Sequence, residues 1–264
     1  LAIASAMASA LLAAGTAHAV LGTPGNTESD GGMTDIAYGN TGNIFELFPR
    51  LFVQGLGSPG NPQDVTGRNP LLQYSFAVSG IGTDAMDIVY SVHNSSAKES
   101  FNQLRLMVFA NPDGGPDYMD TVKETWGPAV NGGPVEREVH EALNADPADN
   151  ILSRFALNST LVAVTFPRDA ACTAGGCDAN VGLQWNAGLL GPGETFQVRL
   201  GLSDSGKSLS SRFLTVSSVS DPGTVLTLSG VGNVVAVPEP GSSALMLAGL
   251  LGIGYLVQRR RPGG

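Results

Sequence analysis

Apolar and polar residues alternate with a period of two along much of this chain. Leu72, Tyr74, Phe76 and Val78 share one face of LLQYSFAVS, and Met86, Ile88, Tyr90 and Val92 share one face of MDIVYSVHN. Leu104, Leu106 and Val108 do so in FNQLRLMVFA, Val181, Leu183 and Trp185 in VGLQW, and Phe196, Val198, Leu200 and Leu202 in ETFQVRLGL. Phe213 to Val216 and Val225 to Leu228 are shorter runs of the same kind. Alternation of this length predicts half-buried antiparallel strands. SGIGTD, NPDGG, LLGPGET and SDPGT separate them as turns. Pro192-Gly193 suits the central pair of a type II turn, after which the next strand leaves with Phe196 inward. Seven or more such strands predict an all-β fold, an antiparallel β-sandwich of immunoglobulin-like or jelly-roll type.

One stretch breaks the pattern. From about residue 111 to residue 160 alternating runs are few, and the segment reads as an irregular, partly helical insertion on the sandwich rather than a second domain. Pro134 to Leu143 predicts a short helix with Pro134 in its first turn. Asp149-Asn150 before ILSRFAL predicts another, capped at its start.

Composition sharpens this picture. With 35 Gly and 16 Pro among 264 residues and 14% charged residues, the chain suits many turns between many strands. Apolar content of 42% supplies a core. Formal net charge is −9. Such an acidic balance argues against nucleic acid, whose phosphates require Lys and Arg, and against passive adsorption to anionic lipid.

The two ends have a different character. Residues 1–19 are apolar and Ala-rich and end in Ala17-His18-Ala19, the A-x-A pattern of a signal peptidase site. They are expected to be a secretory signal peptide, truncated at its start because neither a Met nor a basic stretch precedes Leu1. The body then spans 20–236. Residues 237–264 form a tail in which Pro238 and Pro240 hold the chain extended around Glu239. Ser242 to Val257 follows as 16 residues without a charge. As a helix, 242–257 would measure about 24 Å, short of a hydrocarbon core of about 30 Å, with snorkelling arginines covering the deficit. Arg259, Arg260 and Arg261 fit the cytoplasmic end of a single transmembrane helix.

Val-Pro-Glu-Pro, an apolar helix and a terminal arginine cluster, in that order, resemble the PEP-CTERM sorting signal found in Gram-negative bacteria that make exopolysaccharide. The resemblance covers about the last 28 residues and leaves the body unmatched. It implies that Pro238, Glu239 and Pro240 are the processing motif of an exosortase, a membrane-embedded cysteine protease. It also implies transient anchoring in the inner membrane, then display at the cell surface or release.

Candidate chemistry in the body is sparse. Cys172 and Cys177, the only two cysteines, sit in CTAGGC. An exported chain favours a disulfide between them, and closing so small a loop stabilises by about 2 kcal/mol in the chain-entropy model. A redox pair would space its cysteines by two, and a metal site would need more ligands. Asp113, Asp117 and Asp120 in NPDGGPDYMD are a weak calcium candidate, since clustered oxygens suit a hard cation, yet Asn-Pro-Asp-Gly is a good turn in its own right. His93 and His140 have neither G-x-S-x-G nor H-E-x-x-H around them, so no catalytic residue, metal or cofactor is predicted. Trp185 fits a core face, whereas Trp126, in the insertion, is a possible contact for a sugar ring. The expectation is a non-enzymatic exported protein with a structural or adhesive role in an exopolysaccharide or biofilm setting. A carbohydrate-binding module is the alternative, and a hydrolase with an unrecognised site stands behind both.

Overall fold

A computed structural model describes residues 21, 22, 24–39, 43–113, 120–125, 136–142, 151–161, 179–210, 213–219, 223, 225–236, 246, 249–251 and 253. In chain order the elements are β1 (Asn26–Thr27), β2 (Met33–Tyr38), β3 (Asn43–Phe52), α1 (Pro62–Gly67), β4 (Leu72–Ser79), β5 (Ala85–Asn94), β6 (Phe101–Asp113), β7 (Asp120–Thr125), β8 (Glu136–Ala142), α2 (Ile151–Asn158), β9 (Ala179–Leu190), β10 (Glu194–Ser203), β11 (Phe213–Ser218) and β12 (Val225–Ala236). The strands form two six-stranded sheets, ordered β1-β2-β3-β6-β9-β8 and β4-β5-β10-β12-β11-β7. Every neighbouring pair is antiparallel. The all-β expectation therefore holds.

Alternation explains which face each strand buries. On β5, Met86, Ile88, Tyr90 and Val92 are buried, and on β10 so are Phe196, Val198, Leu200 and Leu202. These side chains meet Leu104, Leu106 and Val108 of β6 and Val181, Leu183 and Trp185 of β9 in one cluster drawn from both sheets. A smaller cluster lies on the other face of the first sheet. There Met107 and Phe109 of β6 meet Ile151 and Phe155 of α2 and Leu161 beyond it, with Phe48 and Phe52 of β3 at its margin. The run LMVFA in β6 is apolar at every position because it is buried on both sides.

Trp185 joins the two sheets. Its indole rests on β12 where Gly230 and Gly232 leave space, and a Cβ at Gly232 would stand 3.0 Å from the Cβ of Trp185. At Gly230 an added Cβ would overlap the indole and stand 2.9 Å from the carbonyl of Arg199. Trp185 is 1% exposed, and among the described residues its Nε1 has no hydrogen-bond partner. The ring is held by packing.

The connection from β9 to β10 carries the chain from one sheet to the other. It is the predicted type II turn: Glu194 N donates to Gly191 O at 3.2 Å, and Gly193 takes φ 69°. Phe196 is buried, as expected.

Three observations depart from the expectations. The stretch read as a helix from Pro134 contains a strand instead, β8, which pairs along β9 from Glu136↔Trp185 to Ala142↔Ala179. Pairing along the open edge of β9 outweighs the helical propensity of EREVHEA, in which Glu, Arg and Ala are all good helix formers. Second, the insertion supplies an edge strand to each sheet, β7 and β8, together with α2. Third, β2 and β3 were not expected. β3 tolerates Pro49 because pairing to β2 ends at Leu47, so that side of β3 has no strand awaiting a donor there.

Two substitutions test the joint between the sheets. Trp185→Ala is expected to lower the unfolding free energy by about 3–5 kcal/mol. Gly230→Ala is expected to cost about 1–3 kcal/mol through overpacking. Urea unfolding followed by circular dichroism measures both, and a Gly230→Ala variant as stable as the parent would contradict this packing.

Candidate functional site

Among the described residues, polar side chains gather in several places, and two of these tie irregular segments to the sheets. The first is on the outer face of the first sheet, where β6 slips register against β9 between Asn102 and Leu104 and again before Arg105. Gln103, inside this bulge, takes φ 49°, a left-handed value rarely adopted by a side-chain-bearing residue. Arg105 donates from Nη1 to Ser159 O at 2.5 Å, at the end of α2, and from Nη2 to Gln103 Oε1 at 3.3 Å. Its guanidinium also lies 5.4 Å from the ring centre of Phe52. Buried Gln184 accepts from Leu161 N at 2.6 Å and donates to Asn186 Oδ1 at 2.6 Å and Thr160 Oγ1 at 3.2 Å. Together these bonds hold the exit of α2 on the sheet. Gln103, Leu104, Arg105, Thr160, Asn186 and Gly188 line a hollow of about 210 Å³ there. A guanidinium, amides and a hydroxyl suit hydrogen bonding to a polar ligand, and the described lining includes no carboxylate and no histidine.

The second place surrounds Asp30, 5% exposed in the turn between β1 and β2. Its Oδ1 accepts from Gly32 N at 2.8 Å and its Oδ2 from Asn61 Nδ2 at 2.5 Å. Asn61 is also the N-cap of α1, its Oδ1 accepting from Gln63 N at 2.9 Å. Tyr74 Oη donates to Asp30 O at 2.5 Å and Tyr90 Oη to Gly31 O at 3.3 Å. Burial pushes both phenols above the ordinary tyrosine value. The neighbouring Tyr90 and then the Asp30 carboxylate add to this at Tyr74, and the Asp30 carboxylate does so at Tyr90. Every polar atom named here has a partner, so the cluster works as a clasp between the first hairpin, α1 and the second sheet.

Of the residues singled out in the sequence, His93 and His140 lie on strands of different sheets. His93, half-buried on β5, has Nδ1 3.0 Å from Thr195 Oγ1 on β10. His140 belongs to the backbone of β8, on the other sheet. Asp113 ends β6 and Asp120 begins β7, while Asp117 lies outside the described residues. Among the described residues no three His, Cys, Asp or Glu side chains stand close enough to hold a metal ion. Trp126, Cys172, Cys177, Pro238, Glu239, Pro240 and Arg259 to Arg261 also lie outside them, as do residues 1–19.

The tail begins where the body stops. β12 is buried from Leu226 to Gly230, and its last residues, Val235 and Ala236, are exposed. Beyond it, Met246, Gly249, Leu250, Leu251 and Ile253 are helical, and the four large side chains are 59–71% exposed. Among the described residues no helix is long and apolar enough to cross a membrane. The family described as the PEP-CTERM protein-sorting motif matches residues 236–261. The chain carries a PEP-CTERM sorting motif. The match begins at the last residue of β12. A PEP-CTERM motif implies export, cell-surface sorting and processing by an exosortase. The body matches no family, and neither a curated protein nor a solved structure matches the chain.

The PEP-CTERM motif is a linear signal and is legible without a structure. The hollow at Gln103 and the Asp30 clasp are not, because each joins residues distant in sequence. The positive φ at Gln103 follows from the register of β6 on β9, for which the local sequence holds no sign.

The clasp gives a pH dependence whose sign is fixed. Phenols with raised pKa in the folded state contribute stability that is complete below the unfolded value of about 10 and is lost as pH rises beyond it. Tyr74 and Tyr90 are therefore expected to ionise only as the protein unfolds above about pH 10, so the share of phenolate absorbance that these two of the five tyrosines supply should rise in step with loss of the β circular-dichroism signal. Asn61→Ala removes both the cap and a partner of Asp30, and is expected to cost about 1–2 kcal/mol in thermal unfolding.

Proposed function

We propose that this chain is an exported, non-enzymatic protein whose two-sheet body is delivered to the cell surface or extracellular matrix of a Gram-negative bacterium. There it would serve a structural or adhesive role among exopolysaccharide. The single observation that carries the reading is the PEP-CTERM motif at residues 236–261, starting at the residue where β12 ends. The signal peptidase and secretion machinery would remove residues 1–19 and pass the body across the inner membrane, and an exosortase would act near Pro238, Glu239 and Pro240. The uncharged run 242–257 would anchor the chain until then, with Arg259, Arg260 and Arg261 on the cytoplasmic side. Exposure of Met246, Leu250, Leu251 and Ile253 supports this role, since side chains of that size uncovered on a helix need another apolar phase. Export also favours the Cys172–Cys177 disulfide. The body would be a sandwich of immunoglobulin-like or jelly-roll type.

A second reading, a carbohydrate-binding module, draws support from the hollow of amide, hydroxyl and guanidinium groups beside Gln103, with Trp126 as a further candidate contact. A glycan array separates the two. Binding that Asn186→Ala abolishes would favour the sugar site.

Deleting residues 237–264 is expected to leave the circular dichroism of the body unchanged while removing it from the surface fraction. Mass spectrometry of the mature C-terminus, with and without the exosortase, is expected to show residues 242–264 retained only when the protease is missing. Normal surface amounts of the truncated protein would defeat the proposal.

A further inference from the structure

Among the described residues the two sheets leave four edges, at β1, β8, β4 and β7. An open edge offers unpaired N–H and C=O groups to any passing strand, and folded proteins guard edges by making them short or charged. Three of the four follow that rule. β1 has two residues. β7, DTVKET, includes Asp120, Lys123 and Glu124. β8, EREVHEA, includes Glu136, Arg137, Glu138 and Glu141.

β4 does not follow it. LQYSFAVS runs for eight residues without a charge, a proline or a glycine. Its ladder to β5 continues from Leu72↔Asn94 to Ser79↔Asp87 without a bulge. Ser95 N donates to Leu71 O just before that ladder. Alternation then turns the backbone groups of Gln73, Ser75 and Ala77 towards β5 and those of Tyr74, Phe76 and Val78 away from it. Among the described residues no backbone group pairs with the outward three.

The side chains of the same three residues add a second observation. Tyr74, Phe76 and Val78 pack against the main cluster yet stay half-buried, whereas their partners Val92, Tyr90 and Ile88 on β5 are fully buried. Ile81, 40% exposed, extends the apolar row beyond the strand. The core layer thus runs out to the one edge among the described strands that is neither short nor charged, and is left partly uncovered there.

We propose that β4 is a self-association edge, on which a second copy of this chain lays its own β4 antiparallel and joins two six-stranded sheets into one. Charge decides for a second copy as the occupant. About a twofold axis each residue meets itself or a near neighbour, so any charge on the strand would face its like. β4 has none, in a chain of net charge −9 whose acidic surfaces otherwise repel. With the axis at Phe76, Tyr74 stands opposite Val78 on the core side, and Ser75 stands opposite Ala77 on the solvent side, where small side chains let the backbones approach. This pairing is independent of the sorting tail.

The test is sedimentation of the full chain in density-matched detergent micelles. The expected result is a mass of two chains, with amides of Tyr74, Phe76 and Val78 exchanging more slowly in concentrated than in dilute samples. Ser75→Lys and, separately, Ala77→Lys are expected to weaken the dimer about tenfold or more. Gln197→Lys, an exposed position in the middle of the second sheet, is expected to leave it intact. Parental β circular dichroism and cooperative thermal unfolding show that all three variants fold. A monomeric parent chain, as expected if another protein is the true occupant, overturns the proposal. So does a dimer that survives both edge lysines, which would assign association to the tail, or one that Gln197→Lys also disrupts.

Discussion

The indole of Trp185 lies between the sheets because β12 presents Gly230 and Gly232 where side chains would otherwise stand. Sheets packed face to face are separated by about 10 Å of interdigitated side chains, and here the largest of those side chains occupies space given up by the strand opposite. The arrangement demands a register. β12 must place its two glycines across from Trp185 while pairing with β10 from Ala236↔Glu194 to Thr227↔Ser203. A slip of one residue along that ladder would drive a branched side chain into the ring. The cluster shared by the two sheets, and with it the order of the body, rests on this fit.

How much of this was legible depends on how many faces a strand buries. β4, β5 and β10 face solvent on one side, so their alternation is clear in the sequence. β3 is buried on both: Phe45, Leu47 and Leu51 face the main cluster, while Phe48 and Phe52 border the smaller one. Its sequence, NIFELFPRLF, therefore lacks the alternating signal and contains a proline besides. β8 reads as a polar helix because its only reason to extend is the open side of β9, a tertiary partner about forty residues later. The polar clusters are harder still. Tyr74 reaches Asp30 across 44 positions and Arg105 reaches Ser159 across 54. The sorting motif is the opposite case, since its recognition requires only that neighbouring residues appear in order.

Body and tail thus answer to different physics. The body is specified by long-range pairing around a packed core, with Asn61, Gln184 and Arg105 tying its irregular segments to the sheets through bonds to backbone or buried polar atoms. The tail is specified locally, by prolines, an uncharged run and a basic end. The division falls at the final residues of β12, where burial gives way to exposure.

That the tail leaves from the end of β12 has a mechanical consequence. β12 is an interior strand, flanked by β10 on one side and β11 on the other. Tension applied along it from its C-terminal end would strain both flanking ladders at once, in shear, with many bonds resisting together. An edge strand pulled sideways would instead peel open one bond at a time. A pull on the body through its C-terminal strand would therefore be shared between two neighbours rather than borne by one.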